Sequence, residues 1–185
     1  VSRDGSIGYQ VSVEPVGERI RNLESLPRLG VQCVLPEGLE TVTWYGRGPY
    51  HNYNDHNLGS RIGTYTRTVD EMFVNYPYPQ ENGNHTDVRW VAVTDARGSG
   101  LTATGYQPLE TSAHHYTTRN LTEATHTYEL RRTPETYWNL DYGQCGVGNA
   151  SCGNTNPRGI HCIKPKPVTF GFRLAPSPVR AEPAP

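Results

Sequence analysis

Hydrophobic and polar residues alternate along many short segments of the chain, a pattern that predicts β-strands. In residues 8–15, for example, Tyr9, Val11 and Val13 fall on one face. The predicted strands are residues 8–15, 28–36, 61–69, 88–95, 101–107, 125–132, 136–142 and 167–176. Turn signals separate them, and short strands at this spacing favour an antiparallel β-sandwich over a parallel sheet covered by helices.

Helical patterns are rare in this chain. Residues 68–73 are compatible with a single helical turn, and residues 117–125 place Leu121 and Ala124 at helical spacing but also suit a loop. The C-terminal end is rich in proline and has no alternating pattern. We therefore expect one all-β domain in residues 1–175 and a disordered, proline-rich tail in residues 176–185.

The composition agrees with a β-rich chain, since 12 Tyr, 19 Gly and 15 Pro suit strands and turns. The formal net charge of −1 gives no electrostatic reason to expect nucleic acid or an anionic membrane as a partner. No apolar run approaches the roughly 20 residues of a membrane span, so a soluble chain is expected. The chain starts without Met or a signal-peptide pattern, which suggests a piece of a longer protein.

The four cysteines, Cys33, Cys145, Cys152 and Cys162, form no Cys-x-x-Cys pair, so their spacing disfavours a zinc site. Two disulfides are possible in three pairings. Free thiols are the favoured interpretation, and they indicate a cytoplasmic protein.

Residues 143–159 form the most unusual stretch, a long loop of Gly, Asn, Ser and Cys. Its Gly-x-Gly is not followed by a helical pattern, which argues against phosphate binding, whereas long loops on a sheet scaffold often carry functional sites. The histidines are predicted to be structural, and no pair of carboxylates is distinguished by spacing. The candidate carboxylates are Glu71, Glu81, Asp87, Glu110 and Asp141.

Three longer segments carry a family resemblance. They are "LPRLGVQCVLPEGLETVTWYGRGPYHNYNDH", "YPYPQENGNHTDVRWVAVTD" and "TSAHHYTTRNLTEATHTYELRRTPETYWNLDYGQCGVGNASCG". Together they resemble the C-terminal, small-chain type domain of the large β-galactosidases of glycoside hydrolase family two, from about Pro27 to Pro176. The resemblance implies an antiparallel β-sandwich of the galactose-mutarotase-like (super-sandwich) type, of which this chain is the latter part.

The resemblance also implies that this chain holds no catalytic residue and no metal site. Such enzymes carry two catalytic glutamates, Mg²⁺ and Na⁺ in an upstream barrel, which this sequence lacks. In relatives, a tryptophan on the glycine-rich loop reaches the sugar, and "NASCG" aligns Cys152 with it. Asn149, Ser151 and Cys152 are therefore the expected substrate-binding residues.

The segment "WYGRGPYHNYNDH" is implied to be an aromatic-braced turn bent at Pro49 rather than a catalytic centre. His51 and His56 stand where many relatives carry Glu and Arg, so a weaker or pH-dependent contact is expected instead of an ion pair.

The predicted function is that of a domain, not catalytic alone, which completes the active-site rim and supports the assembly of a β-galactosidase. That enzyme would act on terminal, lactose-type β-D-galactosides. Its expected partners are the other domains or large subunit, the galactoside, and further copies in a homo-oligomer. Two alternatives stay open. One is a carbohydrate-binding module, with a platform of Trp44, Tyr45, Trp90 and Trp138. The other is a mutarotase or epimerase, in which His114 or His126 would act with Glu110.

Overall fold

The computed structural model describes residues 1–148 and 157–177. Within these residues the strands are β1 (Ile7–Val13), β2 (Arg28–Leu35), β3 (Thr41–Gly48), β4 (Arg61–Thr68), β5 (His85–Thr94), β6 (Gly100–His114), β7 (Thr136–Gln144) and β8 (Val168–Ser177). The α-helices are α1 (Glu18–Arg21), α2 (Val69–Met72) and α3 (Thr118–Glu123), and short 3₁₀ helices cover Thr127–Glu129 and Gly159–His161. The prediction of an all-β, antiparallel sandwich is confirmed, whereas its mutarotase-like type stays a prediction.

The sheet branches at strand β6, and this branch point organises the fold. The strand order is β1-β8-β6-β5-β3-β4, and β7 pairs with both β6 and β2. Strand β6 is 15 residues long, so residues 100–105 pair with β8 while residues 110–114 pair with β7. One branch therefore contains β8 and β1 and the other contains β7 and β2, and the two halves of β6 belong to different branches.

Apolar side chains from both branches meet in one core. Trp44 of β3 and Trp138 of β7 are completely buried, and the Trp138 indole donates a hydrogen bond to Thr111 Oγ1 at 3.2 Å. Phe170 and Phe172 of β8 belong to the same cluster. Burial of such large side chains is the main favourable contribution to the stability of a β-sandwich.

Strand β3 was not predicted, because its glycines and Pro49 resemble a turn. The strand runs to Gly48, and the Gly48–Pro49 peptide bond is cis. Val42, Trp44, Gly46 and Gly48 are all buried on one face, which is the period of a strand. The predicted turn therefore begins only at Pro49, one residue beyond a central strand.

The predicted strand over residues 125–132 is wrong. Thr127–Glu129 forms a 3₁₀ helix instead. The Glu129 carboxylate accepts hydrogen bonds from the backbone N–H groups of Thr125 at 2.7 Å and His126 at 3.2 Å. These backbone N–H groups therefore find a local acceptor and do not need hydrogen bonds to a neighbouring strand.

The helical expectations fare better. The single turn predicted in residues 68–73 is confirmed as α2, whose N-cap Thr68 and Glu71 form a capping box. Residues 117–125, compatible with helix or loop, contain α3, capped by the Thr117 side chain. Helix α1 was not predicted. Of the expected tail, Pro176 and Ser177 complete β8, and residues 178–185 lie outside the described residues.

Candidate functional site

The glycine-rich loop leaves β7 and returns through the 3₁₀ helix before β8. The expected substrate-binding residues Asn149, Ser151 and Cys152 lie outside the described residues. The two ends of the loop, residues 143–148 and 157–163, are described, and we call them its stems. The Gly146 N–H donates to the His161 carbonyl at 2.9 Å, which joins one stem to the other.

Residues of the segment 44–56 hold these stems in place. The Asn54 Nδ2 group donates to the carbonyls of Gln144 at 3.1 Å and His161 at 3.2 Å, one in each stem. The Gly148 N–H donates to Asp55 Oδ2 at 2.7 Å. Burial opposes ionisation of Asp55, but the hydrogen bonds from Gly148 and His56 outweigh it and lower the pKa of this carboxyl. The segment therefore anchors the loop.

His51 and His56 contact each other through their rings, whose centroids are 6.0 Å apart at an angle of 71°. Burial, together with the neighbouring His56, lowers the pKa of His51. The Gly83 N–H donates to His51 Nδ1 at 3.4 Å, which leaves the proton of the neutral ring on Nε2, 3.4 Å from the Tyr76 hydroxyl. His56 instead pairs with the Asp55 carboxylate at 3.1 Å.

A cluster of largely buried ionisable side chains lies next to the stems, and we call it the Arg28 cluster (Arg28, Tyr53, Glu81, Glu110 and Asp141). Arg28 Nη2 lies 2.9 Å from Glu81 Oε1, and Arg28 Nε lies 3.1 Å from Asp141 Oδ2. The Tyr53 hydroxyl donates to Glu81 Oε1 at 3.3 Å. The cluster thus contains three carboxyl groups and only one positively charged group, the Arg28 guanidinium.

Burial controls the protonation of these carboxyl groups. It raises the pKa of Asp141 well above its usual range despite the attraction of Arg28. It also raises the pKa of Glu81, again against the attraction of Arg28. For Glu110, burial outweighs hydrogen bonds from Asn84 and Gln144 and raises the pKa to about 7. Burial therefore makes all three carboxyl groups harder to ionise than they are in water.

Glu110 is the member of the cluster that faces a cavity. Its Oε2 accepts from Asn84 Nδ2 at 2.7 Å and from the Gln144 N–H at 3.2 Å. Its Oε1 lies 3.9 Å from the position of a Cβ built on Gly143. The cavity, of about 340 Å³, is lined by Asn54, Glu110, Tyr142, Gly143, Gln144, Cys162, Ile163, Lys164, Lys166 and Val168. A carboxyl group with a pKa about 7 can donate or accept a hydrogen bond there.

Sequence reasoning named these carboxyl groups without distinguishing them. Glu81, Glu110 and Asp141 meet in the cluster, whereas Glu71 caps α2 and Asp87 pairs with Arg47. Arg28 and Asn84 were missed as site residues. The signal that could have identified Arg28 is its position at the start of a strand whose partner, β7, carries Asp141 three residues before its end.

The histidines proposed for an epimerase do not meet Glu110 in a cleft. His114 is buried with its Nε2 2.9 Å from the Asn82 carbonyl, and burial lowers its pKa to about 4. His126 is exposed beside Glu129. Neither ring lines the Glu110 cavity.

The proposed aromatic platform is divided between two environments. Trp44 and Trp138 are completely buried. Tyr45 and Trp90 are cross-strand partners on the opposite face of β3 and β5. The four rings therefore do not form one exposed surface.

Within residues 1–148 and 157–177, no group of three or more His, Cys, Asp or Glu side chains is placed to hold a metal ion. The longest α-helix in that part of the chain has six residues, and none is long and apolar enough to cross a membrane.

Comparisons with known proteins identify relatives across almost the whole chain. The family model described as "Beta galactosidase small chain" matches residues 1–174. A β-galactosidase of Staphylococcus xylosus is 31% identical over 174 residues, 94% of this chain and 17% of that protein. One of Priestia megaterium is 32% identical over 145 residues, 78% of this chain and 14% of that protein. One of Halalkalibacterium halodurans is 37% identical over 146 residues, again 78% of this chain and 14% of that protein.

Proposed function

The chain belongs to the β-galactosidase small-chain family, and from this membership we propose that it is a non-catalytic β-sandwich domain of an enzyme that hydrolyses terminal β-D-galactosides. The observation that carries the proposal is the family match over residues 1–174. The chain spans only 14–17% of the length of the three relatives described above. The remainder of the enzyme supplies the catalytic carboxylates, and the Mg²⁺ and Na⁺ expected with them.

The three carboxyl groups of the Arg28 cluster have structural partners, which supports a non-catalytic role. Retaining glycosidases need two carboxyl groups about 5–5.5 Å apart on either side of the scissile bond. Glu81 and Asp141 are instead engaged with Arg28. One oxygen of Glu110 accepts hydrogen bonds from Asn84 Nδ2 and from the backbone N–H of Gln144.

The contribution of this domain to the enzyme is its glycine-rich loop, which completes the rim of the substrate site. We assign substrate contact to Asn149, Ser151 and Cys152 within that loop. Support comes from the stems, which Asn54 and Asp55 fix to the sandwich through side-chain hydrogen bonds. These bonds hold the two ends of the loop at defined positions on the sandwich.

The remaining parts of the proposal concern the setting of the enzyme. The other domains or large subunit contact this sandwich, and the intact enzyme is a homo-oligomer with a mutarotase-like domain. Cys33, Cys145 and Cys162 carry free thiols, which favours a reducing compartment such as the cytoplasm.

A second candidate function, carbohydrate binding by the domain itself, is favoured by the Glu110 cavity. Ile163 and Val168 provide apolar wall, the half-exposed Tyr142 provides an aromatic ring, and Glu110 and Lys166 provide polar groups. Sugars bind to such combinations of aromatic surface and hydrogen-bonding groups.

The activity is tested with o-nitrophenyl β-D-galactoside as substrate. The complete protein should hydrolyse it, and the isolated 185-residue chain should not. Intrinsic fluorescence of the buried Trp44 and Trp138 reports whether the isolated chain is folded. Turnover by the isolated chain at rates typical of glycosidases, or a complete protein inactive on every β-galactoside, would contradict the proposal.

A further inference from the structure

Two cysteines face each other across the stems of the glycine-rich loop. Cys145 follows β7, and Cys162 follows the 3₁₀ helix Gly159–His161. The hydrogen bond between the Gly146 N–H and the His161 carbonyl, 2.9 Å long, places residues 145 and 162 side by side. Cys162 is close enough to raise the pKa of the Cys145 thiol, and both side chains line one cleft.

Other groups hold the two sulfur atoms in this arrangement. Ser25 Oγ lies 3.3 Å from Cys145 Sγ and also accepts a hydrogen bond from the Ile163 N–H at 3.1 Å. Ser25 is therefore bonded to both stems. On the other side, the Cys162 thiol donates to the Pro157 carbonyl at 3.4 Å. Both cysteines are only partly buried, so a small reagent can reach them.

We propose that Cys145 and Cys162 form an oxidisable dithiol, a modification site at which a peroxide closes a disulfide between the two stems. The site uses only atoms within the described stems and does not depend on the proposed galactosidase activity. A disulfide needs Cα atoms within about 7 Å, which neighbouring positions on paired segments satisfy.

The chemistry balances with peroxide as the oxidant. The Cys162 sulfur attacks one peroxide oxygen, the O–O bond breaks, and a sulfenic acid and one water form. The Cys145 sulfur then attacks the sulfenic sulfur, loses its proton, and displaces the hydroxyl as a second water. Two thiols are thus oxidised to one disulfide, and one hydrogen peroxide is reduced to two waters. Burial and the adjacent Cys162 raise the pKa of Cys145, which fits the resolving role.

Cys33 provides an internal control. It lies on β2 opposite Trp138 of β7, and burial raises the pKa of its thiol. The described cysteines place no second thiol beside it. Peroxide should therefore leave Cys33 as a thiol under conditions that oxidise the stem pair.

The experiment is peroxide treatment of the intact, folded protein, followed by removal of peroxide, alkylation under denaturing conditions and peptide mass spectrometry. Trypsin cleaves after Arg158 and so separates Cys162 from the peptide that holds Cys145 and Cys152. We expect these two peptides to be linked after oxidation and to separate again with dithiothreitol. Fragmentation of the linked peptides should place the bond on Cys145.

Two variants provide a matched comparison. Cys152→Ser should keep the cross-link, and Cys145→Ser should lose it. Fragmentation of the wild-type product gives the same information if a variant fails to fold. A bond from Cys162 to Cys152, a bond that persists in Cys145→Ser, or oxidation of Cys33 with the stem thiols still free would overturn the proposal.

Discussion

At the scale of single residues, Arg28 is a largely buried cation that lies between two carboxyl groups. Its guanidinium contacts Glu81 and Asp141 while its side chain is only 20% exposed. Removing a buried cation leaves its carboxylate partners without compensation, and that desolvation penalty is larger than the value of the ion pair itself. Arg28 therefore stabilises the fold chiefly because its positive charge offsets the cost of burying the neighbouring carboxyl groups.

We predict that Arg28→Met lowers the free energy of unfolding by roughly 3–5 kcal/mol, because the buried carboxyl groups lose their counter-charge. Urea-induced unfolding followed by tryptophan fluorescence measures the change. The control is Arg119→Met, since Arg119 is exposed and pairs with Glu123 within α3. That variant should lose about 0.5 kcal/mol or less. Equal losses in the two variants would contradict the assigned role of Arg28.

Glu110 predicts a pH dependence of stability. Its pKa is about 7 in the folded protein against an ordinary value of 4.5, so the folded state binds the proton more tightly. The resulting stability is complete below about pH 4.5 and is lost as the pH rises through about 7. From pH 5 to pH 8, wild type should therefore lose about 1–3 kcal/mol relative to Glu110→Gln, which does not titrate.

Measurement of both unfolding free energies across this range checks the prediction. Glu81, Asp141, His85 and His114 also titrate with shifted pKa values, but they are present in both proteins. The difference between wild type and Glu110→Gln therefore reports on Glu110 and on its contribution to the pKa of Asp141. Glu123→Gln, on the exposed face of α3, controls for the loss of one surface charge. A constant difference between wild type and Glu110→Gln at all pH values would refute the buried-proton account.

At the scale of elements, strand β3 was not recognised from the sequence because its glycines resemble a turn. Its buried face alternates correctly through Val42 and Trp44, but Gly46 and Gly48 then read as a turn. A Cβ built on Gly46 would lie 2.8 Å from Val88 Cγ2 and 2.9 Å from Val88 Cα. Glycine is therefore present because β5 approaches closely, which is a long-range requirement. Strand β3 could not be distinguished from a turn without knowledge of β5.

Gly46→Ala should destabilise the protein by about 1–3 kcal/mol, because the added methyl group overlaps the β5 backbone and forces strands β3 and β5 apart. The matched control is Gly59→Ala, where a built Cβ meets nothing within 4 Å and the backbone φ is not in the left-handed region. This control should match or slightly exceed wild-type stability. Thermal unfolding of both variants provides the measurement, and a stable Gly46→Ala would show that the sheet has room at this point.

At the scale of the whole molecule, sequence reasoning succeeded where the signal was local or shared with relatives. Alternation located seven of the eight strands found in residues 1–148 and 157–177, and three motifs in order indicated the family later found over residues 1–174. The Arg28 cluster was not foreseen, since Arg28, Glu81, Glu110 and Asp141 are separated by long stretches of chain. Only the branched pairing of β6 with β7, and of β7 with β2, brings Glu110, Asp141 and Arg28 together.

The central claim, that this domain contributes its glycine-rich loop to the substrate site of a β-galactosidase, is tested most directly by steady-state kinetics of Cys152 variants in the complete enzyme. Cys152→Trp should supply an aromatic surface for the sugar. The added indole should strengthen sugar binding by on the order of 1 kcal/mol, once the cost of dehydrating the sugar is subtracted. This corresponds to a several-fold lower KM for β-galactosides, while Cys152→Ser stays close to wild type. A several-fold rise in KM through steric overlap would equally place residue 152 at the site. Unchanged kcat and KM in both variants would contradict the claim.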